Sequence, residues 1–274
     1  MFSDTHNHTL EFSPDAKMTY EELVSAASSA GLRRVAITEH YEIDNPDPND
    51  NIQTYDLDEY FKVFPSWRVK ALESGIELLA GIEFGYQTST AGKIDATASS
   101  YPFDEIILSN HLFRGIDVYY SKDVYQIDRI TRHKEYIGKV AEMAERVRDF
   151  DIAGHFDYIN RYNPSNTEDI LYSDCPSEFD RLFEALIADE RALEINTRIV
   201  DSRIKKCLHS AFPDPEIIKR YASMGGKLIT LGSDSHTTET SGIHFREVCE
   251  YLRALGFGEV AYFRERRIFT DPVY

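Results

Sequence analysis

Short apolar runs alternate with longer amphipathic stretches along nearly the whole chain. The opening run, residues 2–9, predicts a first β-strand that leads directly into polar residues. Thr19 is placed as an N-cap with Glu22 three positions on, a capping-box pattern. The helix it starts carries Leu23, Val24 and Ala27 on one face and stops near Gly31. Residues 34–40 predict a strand, residues 41–56 a long loop rich in Asp, Asn and Pro, and residues 57–74 a helix ended by Gly75. Residues 78–84 and 105–111 predict the third and fourth strands, while residues 87–100, small and polar, are partly unassigned. A long helix over about 128–149 follows, with Ile137, Val140, Ala144 and Val147 on one face. Residues 151–156 predict a fifth strand, 157–175 a second long loop, 177–189 a helix and 192–198 a sixth strand. Asp214 and Pro215 open another helix as N-cap and first helical residue, closed by Gly225. Residues 227–236 form the seventh strand with its exit turn; a helix near 243–255 and an apolar segment, 260–263, end the chain.

Strand and helix thus alternate about seven times, and the strands are too apolar to face water on either side. That pattern predicts a parallel sheet covered on both faces. No linker or internal repeat divides the chain, so residues 1–274 are expected to form one α/β domain. Seven unbroken units favour a closed or nearly closed barrel over an open doubly wound sheet. Neither GxGxxG nor GxxxxGK[ST] occurs, so no glycine-rich phosphate loop is expected.

Composition narrows the partners. The net charge is −17 and no block of Lys or Arg stands out. Nucleic acid, which needs a basic stripe, and anionic membranes are therefore not expected partners. An acidic protein that takes a phosphate must concentrate cations, metal or Arg, in one place. Cys175, Cys207 and Cys249 form no CxxC and are expected to be reduced thiols. With no basic-then-apolar opening and no long apolar run, the chain is expected to be soluble and cytoplasmic.

The chemistry lies at the strand ends. Alternate residues of a strand share a face, so Asp4, His6 and His8 are expected to project together. Other strands finish in His40, Glu83, His111, His155 and the pair Asp234 and His236. In a β/α barrel these ends converge on one mouth. Leaving Asp4 aside, eight such side chains, nine with Asp15 of the first loop, exceed the three or four ligands of one zinc and fit two or three ions sharing a carboxylate. Mixed His and carboxylate donors suit Zn, Mn or Fe, and a cluster with ions about 3.5–4 Å apart is a device for displacement at phosphorus. His133, His209 and His244 fall in or beside helical patterns and are not expected to be ligands.

Asp4-Thr5-His6-Asn7-His8, Thr38-Glu39-His40, Gly81-Ile82-Glu83, Ser109-Asn110-His111, Gly154-His155 and Gly232-Ser233-Asp234-Ser235-His236 resemble, in order and in strand placement, the motifs of the polymerase-and-histidinol-phosphatase (PHP) family. The match runs from residue 4 to 236. Within the family the chain resembles the monofunctional histidinol-phosphate phosphatases more than the polymerase-attached domains. The resemblance implies a distorted (β/α)7 barrel and a site for two to three divalent transition-metal ions. It implies that His6, His8, Glu83 and Asp234 hold the first ion, and that Glu83, as a bridge, holds the second with His111 and His155. His40, His236 and position 15 would hold the third; many relatives carry His at that last position, where this chain has Asp15. Asp4 would then support a ligating His from behind.

Arg161 and Arg198 follow strands five and six at the same mouth, where a guanidinium fork matches phosphate oxygens. Phe113, Tyr119, Tyr120 and Tyr162 are aromatic candidates to close over a small ring. Glu42, Asp44, Asp47, Asp117 and Asp157 are acidic candidates for a substrate amine. The resemblance implies a metal-dependent phosphomonoesterase acting on histidinol phosphate, a small-molecule substrate, with Asp234 or His236 handling a proton. Two other readings are a PHP-family phosphatase or phosphodiesterase acting on phosphotyrosine or nucleotides, and a metal-binding regulatory module without turnover.

Overall fold

The computed structural model describes residues 2–164, 169–206 and 210–273. Seven strands form one parallel sheet: β1 (Ser3–Asp4), β2 (Arg34–Tyr41), β3 (Glu77–Gly85), β4 (Glu105–Ser109), then β7 (Ile152–Ala153), β8 (Ala192–Asn196) and β9 (Ile229–Gly232), adjacent in that order. The edges approach each other. Thr5 N–H donates to the Leu231 carbonyl at 3.0 Å, His8 N–H donates to that of Ser235 at 2.9 Å, and Asn7 and Ser235 form a parallel bridge. These bonds between its edge strands make the sheet a nearly closed barrel, with both of its faces buried.

The sequence explains the connecting helices. In α1 (Tyr20–Ser29) the Thr19 hydroxyl accepts from Glu22 N–H at 3.2 Å, and Glu22 returns the bond to Thr19 N–H at 2.8 Å. Asp56 and Asp128 cap α2 (Leu57–Glu73) and α4 (Arg129–Arg146), and Pro176 sits in the first turn of α5 (Pro176–Ala188). Asp214 caps α7 (Pro215–Ser223), and α8 (Phe245–Ala254) is the last helix. Leu23, Val24 and Ala27 of α1, and Ile137, Val140 and Ala144 of α4, are buried in one large apolar cluster with the outward faces of the strands.

Several segments differ from the reading of the sequence. Residues 87–100 contain a helix, α3 (Ala91–Ala98). Strand four stops at Ser109, and a small antiparallel hairpin follows, β5 (Leu112–Phe113) with β6 (Ile116–Asp117). The sixth strand ends at Asn196, whose side chain accepts from Ile199 N–H and so starts α6 (Thr197–Lys205). Arg198 therefore stands on the first turn of a helix. The apolar segment 260–263 adds nothing to the barrel: β10 (Glu259–Arg264) and β11 (Arg267–Pro272) form a separate antiparallel hairpin. It plugs the end opposite the site. Phe263 packs on Ile107, Ile152 and Ala192, and Tyr262 on Ala36 and Leu79. Arg34 ties that plug to the barrel through Asp271 at 3.1 Å, and Glu77, paired with Arg34 at 2.7 Å, does so through Arg264 at 2.9 Å. With its lower end filled, the barrel offers its C-terminal mouth as the place for a site.

Cys175 and Cys249 are buried free thiols; Cys207 and His209 lie outside the described residues. His133 bonds Asp174 at 3.0 Å and His244 bonds Asp201 at 3.2 Å, so both have structural partners away from the mouth. Among the described residues no helix is long and apolar enough to cross a membrane.

Candidate metal centre

Glu83 stands at the centre of the mouth. It pairs in register with His40 across β2 and β3, and no part of it is exposed. Its Oε2 lies 2.8 Å from His40 Nδ1, 3.3 Å from His6 Nε2 and 3.6 Å from His8 Nε2. Its Oε1 lies 2.8 Å from His155 Nε2 and 3.2 Å from His111 Nε2. One carboxylate thus faces five imidazoles from four segments of the barrel. Beside it, His8 Nε2 is 3.5 Å from Asp234 Oδ1, and His236 Nε2 is 2.8 Å from Asp15 Oδ2 and 3.4 Å from His40 Nε2. All nine sequence-predicted donors meet here. Asp15 is the most open of them, its side chain 40% exposed.

The donors form overlapping buried sets in which the ligand atoms all lie within 4.8 Å: His6, His8 and Asp234; His6, Glu83 and His155; His40, Glu83 and His111; His8, His40 and His236. Glu83 joins two of these sets, and the family-implied division into three ligand groups is drawn differently by the protein atoms alone: His8 also approaches His40 and His236, and His40 approaches His111.

The donor set is chemically incomplete without cations. Buried His6 Nε2, His8 Nε2 and Glu83 Oε2 have no hydrogen-bond partner among the described residues. An orphaned buried polar atom costs about 1–3 kcal/mol, and here several point at one another. Metal ions, for which neutral imidazole and carboxylate are good ligands, remove that cost. Burial, then the neighbouring imidazoles of His40 and His236, hold His8 well below the usual imidazole range, so it stays neutral. Burial works against a charge on Glu83, but His6, His111 and His40 outweigh it and hold the carboxylate well below its ordinary range.

A second layer fixes the rings. Glu194 of β8 reaches His6 Nδ1 at 2.6 Å with one oxygen and accepts His155 N–H at 2.6 Å with the other. Glu42, just past the strand-two motif, binds His111 Nδ1 at 2.7 Å. Glycines make room for both acids: a Cβ on Gly85 would overlap the Glu42 carboxylate, and one on Gly232 would overlap Glu194 and crowd His6. Glu39 is buried under the loop after His8, accepting from Thr9 N–H, Thr9 Oγ1 and Ser13 Oγ. Glu194 was not anticipated, although strand six was the one strand without a predicted ligand, and a buried acid there was the available signal. Asp4 does not back a histidine ring. Its carboxylate accepts from Ser233 N–H and Oγ, from Gly242 N–H and from His6 N–H, and so fastens the turn carrying Asp234 to the first strand. Asp234 itself adopts a left-handed backbone, φ 48°, a conformation Asp tolerates better than most residues.

A cavity of about 350 Å³ opens above the donors, lined by Asp15, His40, His111, His155, Asp234 and His236, by Lys17, Arg161 and Arg198, and on its outer side by Asp50, Asp117, Tyr119, Tyr120, Tyr158 and Tyr162. Arg161 Nη1 donates to Asp234 Oδ2 at 2.6 Å; Arg198 Nη1 donates to the Asp234 carbonyl at 2.9 Å and stands 2.6 Å from His236 Nδ1. Burial opposes the charge on Asp234, yet Arg161 and Arg198 prevail and keep it well below the usual carboxylate range. Lys17 and Tyr158 are cavity residues that sequence reasoning missed. Of the acidic candidates, Glu42 and Asp117 line the cavity. Asp44 pairs with Lys93 outside it, Asp47 is consumed by Asn49 and the Asp117 backbone, and Asp157 is buried and does not line it. Phe113 packs into the apolar core.

A nearly closed seven-stranded barrel with clustered His and carboxylate donors at its C-terminal mouth has the form of a metal-dependent hydrolase site. A model of the PHP domain matches residues 4–198, and the chain belongs to that family. It is 32% identical over 247 residues to a probable histidinol-phosphatase of Clostridium acetobutylicum, covering 90% of this chain and 91% of that one. It is 27% identical over 266 residues to the histidinol-phosphatase of Lactococcus lactis, covering 97% and 95%. The crystal structure of histidinol phosphate phosphatase from Lactococcus lactis, complexed with zinc, L-histidinol and phosphate, matches with a TM-score of 0.84 over 98% of each chain.

Proposed function

We propose that this chain is a metal-dependent histidinol-phosphatase, hydrolysing L-histidinol phosphate to L-histidinol and phosphate. The observation that carries this reading is the convergence of nine donors, scattered from His6 to His236, on one mouth, where six of them line a cavity that Arg161 and Arg198 also line. Its end-to-end likeness to a phosphatase holding zinc, L-histidinol and phosphate supports the substrate.

We assign His6, His8, His40, Glu83, His111, His155, Asp234, His236 and Asp15 to two to three divalent ions, zinc being the metal of the Lactococcus structure. Bound there, such ions supply Lewis acidity at the phosphoryl oxygens and a water acidic enough to serve as nucleophile at neutral pH. The protein does the rest. Arg161 and Arg198 direct guanidinium donors at the phosphate end of the cavity, where they stabilise charge developing on the transferring group. Asp234, kept ionised by those two arginines, or His236 beside it takes the proton of the attacking water and passes it to the leaving alkoxide, so the proton balance closes at that corner of the cavity. Burial, and then Arg198, hold His236 below its usual range, which leaves a neutral imidazole suited to ligation. Glu42 and Glu194 hold His111 and His6 in orientation.

A small cavity with acids on its outer side suits an ester with a compact cationic body better than a mononucleotide. The test is phosphate release by metal-replete enzyme from histidinol phosphate, phosphotyrosine and mononucleotides. Histidinol phosphate is expected to lead by at least about 10²-fold in kcat/KM, or roughly 3 kcal/mol of transition-state discrimination. Equal or better turnover of either competitor would overturn the histidinol assignment and leave a PHP phosphatase of another substrate.

A further inference from the structure

We propose that Asp117 is the specificity-determining carboxylate of this site and receives the ammonium group of the substrate. The inference rests on the histidinol-phosphatase reading and names the group that selects its substrate. Asp117 ends the β5–β6 hairpin, paired with Leu112, and is only 7% exposed. Its place is tightly held: its N–H donates to Asp47 Oδ2 at 2.8 Å, and its Oδ1 accepts from Tyr119 N–H at 2.7 Å and from the Tyr158 hydroxyl at 3.2 Å. Its Oδ2 has no hydrogen-bond partner among the described residues, and no Lys or Arg among them forms an ion pair with it. A carboxylate fixed in a cavity wall with one oxygen free is a binding position for a cation supplied by the ligand.

The other carboxylates of the cavity are committed. Glu42 holds His111, Asp15 bonds His236, and Asp234 takes Arg161 and Arg198. Asp50 accepts from Asn45 and from Ile52 N–H. Placement also fits the substrate's length. The Tyr158 ring packs against His155 and His111, with centroids 4.9 and 5.4 Å apart, while its hydroxyl touches Asp117. Asp117 is thus one tyrosine beyond the metal donors, along the same wall. With the phosphate among the metal donors and Arg161 and Arg198, an amine two carbons from the ester oxygen comes to Asp117. The ring beyond it then reaches the outer aromatics Tyr119, Tyr120 and Tyr162. The substrate class selected is a phosphate monoester of a β-amino alcohol.

The experiment compares wild type with Asp117→Asn, which keeps the Oδ1 acceptor, on two ester pairs differing only by the amine: histidinol phosphate against 3-(imidazol-4-yl)propyl phosphate, and phosphoethanolamine against ethyl phosphate. Asp117→Asn is expected to lower kcat/KM at least about 30-fold on each aminated ester, mainly through KM, and to stay within threefold of wild type on each amine-free partner, with bound metal unchanged. Equal losses on both members of a pair would show a merely structural role and overturn the proposal; so would undiminished activity on the aminated esters. A wild type that prefers phosphotyrosine or a nucleotide would sink the histidinol reading separately, and the phosphoethanolamine pair would still decide Asp117.

Discussion

Glu194 Oε1 lies 2.6 Å from His6 Nδ1 while its Oε2 accepts the His155 backbone N–H at 2.6 Å, so one buried acid on β8 sets the positions of two proposed ligands from opposite sides of the barrel. The first bond orients the His6 ring with Nε2 toward Glu83; the second fixes the strand exit that carries His155. Glu194→Gln keeps the shape but weakens the acceptor on His6. Outer partners of this kind are worth about 10- to 100-fold in metal affinity. Competition with a chelator should show a loss in that range, and affinity equal to wild type would remove Glu194 from the metal centre.

Gly85 and Glu42 make a matched pair. Gly85→Ala places a methyl where the Glu42 carboxylate lies, and Glu42→Gln removes the charge facing His111. Both are expected to lower metal content and phosphatase activity in the same direction, because both release the His111 ring. If Gly85→Ala retains full metal while Glu42→Gln loses it, the glycine is not there to admit the acid.

Arg161→Ala and Arg198→Ala should each reduce kcat/KM by about 10²-fold or more, a few kcal/mol of charge-assisted hydrogen bonding. Both arginines also brace Asp234, so metal content has to be measured alongside: the kinetic loss should persist when excess metal restores full loading. Unchanged kinetics for both variants would place them outside the phosphate site.

Glu39 gives a pH signature. Burial raises its pKa from an ordinary 4.5 to about 7, against the lowering effect of bonds from Ser13 and Thr9. The folded chain therefore holds a proton that the unfolded chain loses between about pH 4.5 and 7, and stability falls as pH rises across that window. The full difference is about 3 kcal/mol. Glu39→Gln has no charge to develop, so in chelated protein its stability relative to wild type should improve from pH 4.5 to 7 and level off above. Denaturant midpoints of the two proteins that run parallel through that range would contradict the assignment.

Much of this architecture is legible in the chain because its signals are local. The capping box of Thr19 and Glu22, the Asp214–Pro215 helix start and the apolar strands each act over a few residues. The recurrence of His, Glu and Asp at strand ends converts directly into a mouth, since a parallel barrel gathers those ends. What was not legible depends on contacts made only after folding. Segment 260–263 has the composition of a strand, but it pairs with residues 267–272 and plugs the barrel, a choice set by tertiary packing. Arg198 reads as the end of the sixth strand until Asn196 caps a helix in front of it. Asp4 alternates with His6 in sequence, yet its carboxylate is taken by the turn at Ser233. Five acids near the mouth look alike on paper; hydrogen-bond partners commit all but Asp117 or bury them elsewhere.

The relation of Glu83 to its five imidazoles gives the sharpest test of the centre. Its two oxygens face different histidines, Oε2 toward His40, His6 and His8 and Oε1 toward His155 and His111. If it bridges two ions, removing it uncouples the cluster instead of emptying one position. Glu83→Ala should then lose more than one ion per chain and nearly all activity. Glu83→Gln, which retains one neutral oxygen, should keep part of the metal and little of the turnover. Wild-type protein never exposed to chelator should carry two to three transition-metal ions by elemental analysis, and fewer than one would contradict a clustered site. The kinetic threshold is set by energy: tenfold is only about 1.4 kcal/mol of barrier, too little for the loss of a shared ligand. Hydrolysis by Glu83→Ala within tenfold of wild type would mean that another residue joins the ions.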